Sequence, residues 1–89
     1  MSGIQSRFRA QFVETARVRQ KKVETSMAAG DFDAVASELH TLSGEAGLLS
    51  FTSVADIARR ASHATKTDRR NLRELLAELA VAIGALERA

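Results

Sequence analysis

His40 is the residue of this sequence whose type and setting most readily suggest chemistry. On a helix of 3.6 residues per turn it points roughly 130° away from the apolar stripe of its segment. We therefore predict that it is exposed on the helix surface and is not a core histidine. A neutral imidazole is a good nucleophile near pH 7, and phosphohistidine retains a high transfer potential. The stripe itself consists of Val35, Leu39, Leu42, Ala46 and Leu49.

Small residues surround His40 along its predicted helix. One turn before it lie Ala36 and Ser37; after it come Ser43 and Gly44, and then Gly47 two turns on. A glycine inside a helix costs about 1 kcal/mol relative to alanine, so two of them within four residues require a reason. Access of a partner to the imidazole is one such reason. The other interpretation is that residues 43–47 form a loop beside an ordinary surface histidine, and periodicity alone leaves both open.

Other reactive groups are few. His63 lies among Arg60, Ser62 and Lys66 without a motif, and we expect it to be incidental. The sequence has no cysteine, which excludes disulfides and thiol nucleophiles, and its two histidines are too far apart in the sequence to suggest a metal site. No phosphate loop, nucleotide fingerprint or hydrolytic triad is present, so we expect no kinase activity of its own.

The elements that must position His40 are helices. The chain has 89 residues, 45% of them apolar, and no proline, which favours one all-α domain over residues 1–89. Helical spacing predicts helices at about 4–28, 32–49, 53–63 and 69–88, with 64–68 as a connection. Gly30 and Asp31 suit a helix end and the next N-cap. Amphipathic helices with short connections predict an antiparallel up-down four-helix bundle. The predicted core consists of Phe32 and the apolar stripe of the second helix, together with residues of the other three. These are Ile4, Phe8, Phe12, Ala16, Val23 and Met27 in the first, Val54, Ile57, Ala58 and Ala61 in the third, and Leu72, Leu75, Leu76, Leu79, Ile83 and Leu86 in the fourth.

The charge pattern leaves nucleic-acid binding as a disfavoured alternative. The net charge is +2 and the pI is 9.7, and the bases concentrate in stretches 17–22 and 59–73. Acidic residues are interspersed with them, which is typical of solvated helix faces. No apolar run approaches the roughly 18 residues of a membrane span, and no segment looks like a signal peptide. A cytoplasmic protein is expected, and Met1 together with the helical ending favours a free-standing one.

Residues 39–49 resemble the signature of the histidine-containing phosphotransfer (HPt) domain family. That signature is a His, any residue, Leu, Lys, Gly and then a stretch rich in small residues that ends in Leu-Gly. Upstream, residues 27–32 resemble the Gly-Asp turn of the family, and downstream residues 54–58 resemble its third helix. The resemblance spans about 8–61, and its specific matches are His40, Leu42, Gly44, Ala46 and Leu49.

The resemblance implies a phosphorelay carrier. His40 would accept a phosphoryl group from the aspartyl phosphate of a response-regulator receiver domain and pass it to another, in a pathway fed by a sensor or hybrid histidine kinase. Mg²⁺ would belong to the receiver, and this chain would need no cofactor of its own. A monomer with no membrane contact is expected. The docking surface and phosphoryl environment would comprise Ala36, Ser37, Thr41, Ser43, Gly44, Gly47 and Leu48.

Three positions depart from the family pattern. Ser43 replaces the usual Lys, Ser50 replaces the usual Gly, and Ala61-Ser62 replaces a Leu-Glu pair. The missing Lys removes a positive charge from the site, so we hypothesise that Ser43 donates a hydrogen bond or that Arg17 or Arg19 supplies the charge. The alternative is an HPt-derived helical interaction module without phosphotransfer.

Overall fold

A computed structural model of the protein describes residues 2–89, with side chains from residue 7 onwards, and it is almost entirely helical. The predicted all-α, four-helix fold is confirmed, and no strand occurs within residues 2–89. Each helix packs on two neighbours in cyclic order, and consecutive helices run antiparallel. The helices are α1 (Ser2–Ala29), α2 (Phe32–Leu48), α3 (Thr52–Thr67) and α4 (Arg69–Arg88).

The turn between α1 and α2 follows the sequence prediction. Gly30 has a φ of 75°, in the left-handed region that glycine adopts without steric cost. The backbone N–H of Asp31 donates to the Ser26 carbonyl at 2.9 Å, and the Gly30 N–H donates to Met27 at 3.1 Å. These are the two bonds of a Schellman ending. The Asp31 carboxylate then accepts from the Ala34 N–H at 3.2 Å and caps α2.

The turn between α2 and α3 repeats this geometry with a serine in the glycine position. Ser50 has a φ of 65°, and the Phe51 N–H donates to the Ala46 carbonyl at 2.9 Å. Phe51 packs on Phe12 of α1 with ring centroids 4.9 Å apart. This ring pair joins the turn to the first helix.

The core follows the predicted stripes, although Met27, Ile57, Leu76 and Leu86 are only partly buried against it. Phe8 is 52% exposed and Leu49 is 40% exposed, so neither belongs to the core as predicted. Leu49 lies beyond the last residue of α2, where the helical periodicity no longer applies. Val13 is buried in addition to the predicted residues, and the side chain of Ile4 lies outside the described residues. The largest fully buried side chains include Val35, Leu39, Leu42, Val54, Leu72, Leu79 and Ile83.

The predicted end of the third helix at residue 63 is wrong, because α3 continues to Thr67. Ala64 and Thr65 are buried, so this extra turn packs against the core. The Thr65 hydroxyl donates to the Ala61 carbonyl of the same helix at 2.9 Å, so this buried hydroxyl has a hydrogen-bond partner. Asp68 alone connects α3 to α4, and its carboxylate caps α4 by accepting from the Asn71 N–H at 3.2 Å. Among residues 2–89, no helix is both long enough and apolar enough to cross a bilayer.

Candidate functional site

His40 is exposed on α2 and lies in a surface depression between α2 and α3. Its imidazole is therefore open to a partner, as the helical wheel predicts. Both helices contribute one face to the depression, with residues at the i, i+3, i+4 and i+7 spacing of neighbouring turns. The lining residues are Asp33, Ala36, Ser37 and His40 from α2, and Arg59, Ser62, His63 and Lys66 from α3.

Two serine hydroxyls fix the register of α2 against α3 on either side of His40. Ser43 Oγ donates to the Ala55 carbonyl at 3.0 Å, and Ser62 Oγ donates to the Ala36 carbonyl at 3.0 Å. Both bonds correspond to one antiparallel register. With a rise of about 1.5 Å per residue, this register puts Arg59 within about one residue of the level of His40.

Beyond His40 the surface of α2 is open. Residues 43–47 are helical, which rules out the loop interpretation of this segment. No atom outside the helix backbone lies within 4 Å of the position that a Cβ would take at Gly44 or Gly47. Thr41 is exposed, and its hydroxyl donates to the Ser37 carbonyl of its own helix at 3.0 Å. Leu48 is 88% exposed at the end of α2 and extends this surface with an apolar side chain.

Six of the seven residues predicted for the docking surface form two groups along α2. Ala36 and Ser37 line the depression with His40, while Thr41, Gly44, Gly47 and Leu48 continue along α2. Ser43 differs, because its side chain is half-buried against α3 and its hydroxyl proton is already donated to Ala55. The structure therefore gives Ser43 a role between helices and does not support it as a hydrogen-bond donor to a phosphoryl group.

Arg17 and Arg19, expected to compensate for the missing Lys, face other partners. Arg19 binds both carboxylate oxygens of Glu45, at 2.7 and 2.8 Å, and Glu38 at 2.9 Å. The bond to Glu45 raises the pKa of Arg19, and in return it lowers the pKa of the Glu45 carboxyl. Arg17 binds Glu87 of α4 at 2.8 Å. Neither arginine lines the depression that holds His40, so neither is placed to supply the charge.

The cations that do share the depression with His40 come from α3, and the sequence prediction missed them. They are Arg59 and Lys66, and His63 lies between them on the same face. Arg59 donates to Asp56 at 2.8 Å, and Lys66 Nζ lies 3.7 Å from Asp33. Their spacing at 59, 63 and 66 marks one face of a helix, which is a signal present in the sequence. That this face adjoins His40 depends on the register of two helices, which the sequence does not state.

The described side chains offer no group of three or more His, Cys, Asp or Glu residues that could hold a metal ion. The candidate chemistry of the chain therefore centres on one exposed imidazole, bordered by small residues on α2 and by cations on α3.

Comparison with known proteins identifies a family for nearly the whole chain. A family model described as the Hpt domain matches residues 7–89. This range includes His40, the open surface of α2 and all of α3 and α4. Comparisons with curated proteins and with solved structures found no match.

Proposed function

The chain belongs to the Hpt domain family, and on that premise we propose that it carries a phosphoryl group on His40 between the proteins of a phosphorelay. The family is known for phosphotransfer in two-component systems, and its members are generally phosphocarriers and not enzymes. One observation carries the assignment to His40. It is the exposed histidine at the family's motif position, and it shares a depression with the small residues Ala36 and Ser37.

The reaction we propose requires little from this chain beyond an accessible nucleophile. Nε2 of neutral His40 would attack the phosphorus of a receiver's aspartyl phosphate in line. The N–P bond forms while the P–O bond to the aspartate breaks, and the bonding electron pair leaves with the carboxylate oxygen. The reverse step returns the phosphoryl group to the aspartate of a second receiver. The Mg²⁺ ion expected in the receiver would neutralise charge on the transferred group.

The proposed partners are response-regulator receiver domains and, through them, a sensor histidine kinase. A receiver must bring its aspartyl phosphate within bonding distance of His40, so it must contact the surrounding helix surface. The open face at Gly44 and Gly47 allows this approach, and Leu48 offers apolar contact. A monomeric, cytoplasmic carrier, as is typical of the family, completes the proposal.

The charge pairing gives little support to the nucleic-acid alternative. In the first basic stretch, Arg19 is engaged by two glutamates. In the second, Asp56 binds both Arg59 and Arg60, at 2.8 and 3.0 Å. A nucleic-acid interface needs basic residues concentrated along one surface, whereas acidic side chains lie beside basic ones of both stretches. A steep loss of duplex binding with added salt would revive this alternative.

The proposal is tested by transfer of labelled phosphate from a panel of phosphorylated receiver domains. The wild type and His63→Gln should both take up label that is acid-labile and alkali-stable, whereas His40→Gln should take up none. His63→Gln is the matched control, because both histidines line the same depression. Equal labelling of His40→Gln would contradict the assignment. Absence of label on a folded wild type with every receiver would favour the interaction module.

A further inference from the structure

Arg59 is the cation of α3 that lies closest to the level of His40 along the paired helices. The register fixed by Ser43 and Ser62 places it within about one residue of that level, or about 1.5 Å along the axis. The same register puts Lys66 about eight residues away, or about 12 Å along the axis. Arg59 also lines the depression that contains His40.

The present partner of Arg59 can release it. Asp56 accepts from Arg59 through Oδ1 at 2.8 Å and from Arg60 through Oδ2 at 3.0 Å, so one carboxylate holds two cations. These side chains are about half exposed or more, and ion pairs of that kind contribute little net free energy. If Arg59 leaves, Asp56 keeps Arg60. The cost of separating Arg59 from Asp56 is therefore small.

A phosphoryl group on His40 would be a stronger partner than Asp56. It carries up to two negative charges, and the planar guanidinium can donate two parallel hydrogen bonds to its oxygens. The side chain of Arg59 is long and 63% exposed, so it can change its rotamer without disturbing packed neighbours. At Ser43, where the family usually has Lys, the chain provides no cation.

We infer that Arg59 is the phosphoryl-binding cation of this chain, and that it exchanges Asp56 for the phosphoryl group when His40 is loaded. This inference rests on the proposed function, since it describes the phosphorylated state of the same histidine. It assigns to α3 the positive charge that the family pattern places on α2. Arg60 would remain on Asp56 in both states.

The test uses chemically loaded protein, so it does not depend on any partner. Phosphoramidate phosphorylates exposed histidines directly, and a His63→Gln background restricts the signal to His40. Phosphorus-31 NMR then follows the second ionisation of the phosphoryl group against pH. A contacting cation stabilises the dianion and lowers this pKa. Arg59→Gln should therefore raise it by about half a unit or more, whereas Arg60→Gln should raise it by clearly less, because Arg59 is still present and only its competition with Asp56 changes.

Asp56→Asn provides a change in the opposite direction. It removes the carboxylate that competes for Arg59, so the pKa of the phosphoryl group should fall below that of the parent protein. A residue with a merely structural role would not produce this pair of opposite shifts. Helical circular dichroism should be the same for all variants, because residues 56, 59 and 60 are exposed.

Equal pKa values for the parent, Arg59→Gln and Arg60→Gln proteins would overturn the inference, and so would equal shifts in both arginine variants. Failure of Asp56→Asn to lower the pKa would overturn the exchange of partners. None of these results bears on transfer from receivers, which tests the proposed function separately. Absence of transfer from receivers would in turn leave the titration of chemically loaded His40 fully interpretable.

Discussion

Ser43 and Ser62 are short residues where the family usually has Lys and the Glu of a Leu-Glu pair. Each donates its hydroxyl proton to a carbonyl of the other helix, at Ala55 and Ala36 respectively. Two separate departures from the family pattern thus form one structural feature. The two hydrogen bonds join α2 to α3 on either side of His40 along the helix, in the register that determines which α3 residues face it.

At the scale of the residue, we predict that these two hydroxyls stabilise the fold. Ser43→Ala and Ser62→Ala should each lower the free energy of unfolding by about 1 kcal/mol, since each removes a half-buried interhelical hydrogen bond. Thr41→Ala is the control and should have little effect, because its hydroxyl is exposed and bonded within its own helix. Urea unfolding with an unchanged m-value measures the difference. Equal stability of the Ser43, Ser62 and Thr41 variants would show that the interhelical bonds do not matter.

At the scale of the element, the end of α2 explains the third departure. Ser50 occupies the left-handed position of a Schellman ending with a φ of 65°, where the family usually has Gly. The backbone conformation is thus that of a glycine although the residue is a serine. A non-glycine residue in this region costs about 1 kcal/mol or more.

We therefore predict that Ser50→Gly raises the free energy of unfolding by about 1 kcal/mol, because the strain is removed. The reciprocal change at the α1–α2 turn, Gly30→Ser, should lower it by a similar amount, since Gly30 has a φ of 75°. Chemical denaturation of the two variants beside the wild type measures both effects. Destabilisation by Ser50→Gly would mean that the serine side chain contributes more than its backbone strain costs.

The packing of α1 on α2 depends on charge as well as on apolar contact. Arg19 binds Glu45 through two hydrogen bonds, and these lower the pKa of Glu45 below its ordinary value of 4.5. The folded protein therefore binds fewer protons than the unfolded chain near pH 4. The pair stabilises the fold fully above the unfolded pKa, and this contribution is lost as the pH falls through the folded pKa.

Glu45→Gln should consequently be less stable than the wild type by roughly 1 kcal/mol at pH 7, with allowance for solvent screening. The gap should narrow below the ordinary glutamate pKa of about 4.5, because the wild type then loses the same interaction. In an Arg19→Gln background the Glu45→Gln change should have no such pH-dependent effect. Denaturation at a series of pH values measures the difference in free energy of unfolding between the wild type and Glu45→Gln. A difference that is constant with pH would contradict a stabilising interaction between Arg19 and ionised Glu45.

At the scale of the whole molecule, the sequence specifies the bundle better than the site. Alternating polar and apolar faces locate four helices, because burial of one face follows directly from a 3.6-residue period. The periodicity wrongly predicts burial of Leu49, because this residue lies past the end of α2. It also does not predict the burial of Thr65, which is possible because the hydroxyl donates a hydrogen bond within its own helix.

The exposure of His40 is predictable for the same reason, since it concerns one helix alone. The cations beside it are not predictable from one helix. Arg59 faces His40 only because α2 and α3 pack in a particular register, and two serine hydroxyls mark that register. A helical wheel contains no information on this register. The sequence alone therefore does not distinguish Arg59 from Arg17 or Arg19 as the source of positive charge.

Two exposed apolar side chains, Leu48 and Val81, lie on different helices of the bundle and are 88% and 68% exposed. Leu48 ends the α2 surface that carries His40, whereas Val81 lies on α4 and does not line the His40 depression. We predict that Leu48→Ala raises the KM for a phosphorylated receiver by about three- to tenfold through lost apolar contact. Val81→Ala should leave it unchanged. Equal effects of the two changes would place the receiver elsewhere on the bundle.

The central claim is that His40 both accepts and returns a phosphoryl group, and a chase experiment tests it most directly. The chain is labelled by a phosphorylated receiver, purified, and mixed with an unlabelled receiver and Mg²⁺. We predict that label leaves His40 and appears on the aspartate of the receiver, and that omission of the receiver leaves it on the chain. Label that stays on the chain, or that is released only as inorganic phosphate, would contradict the carrier function.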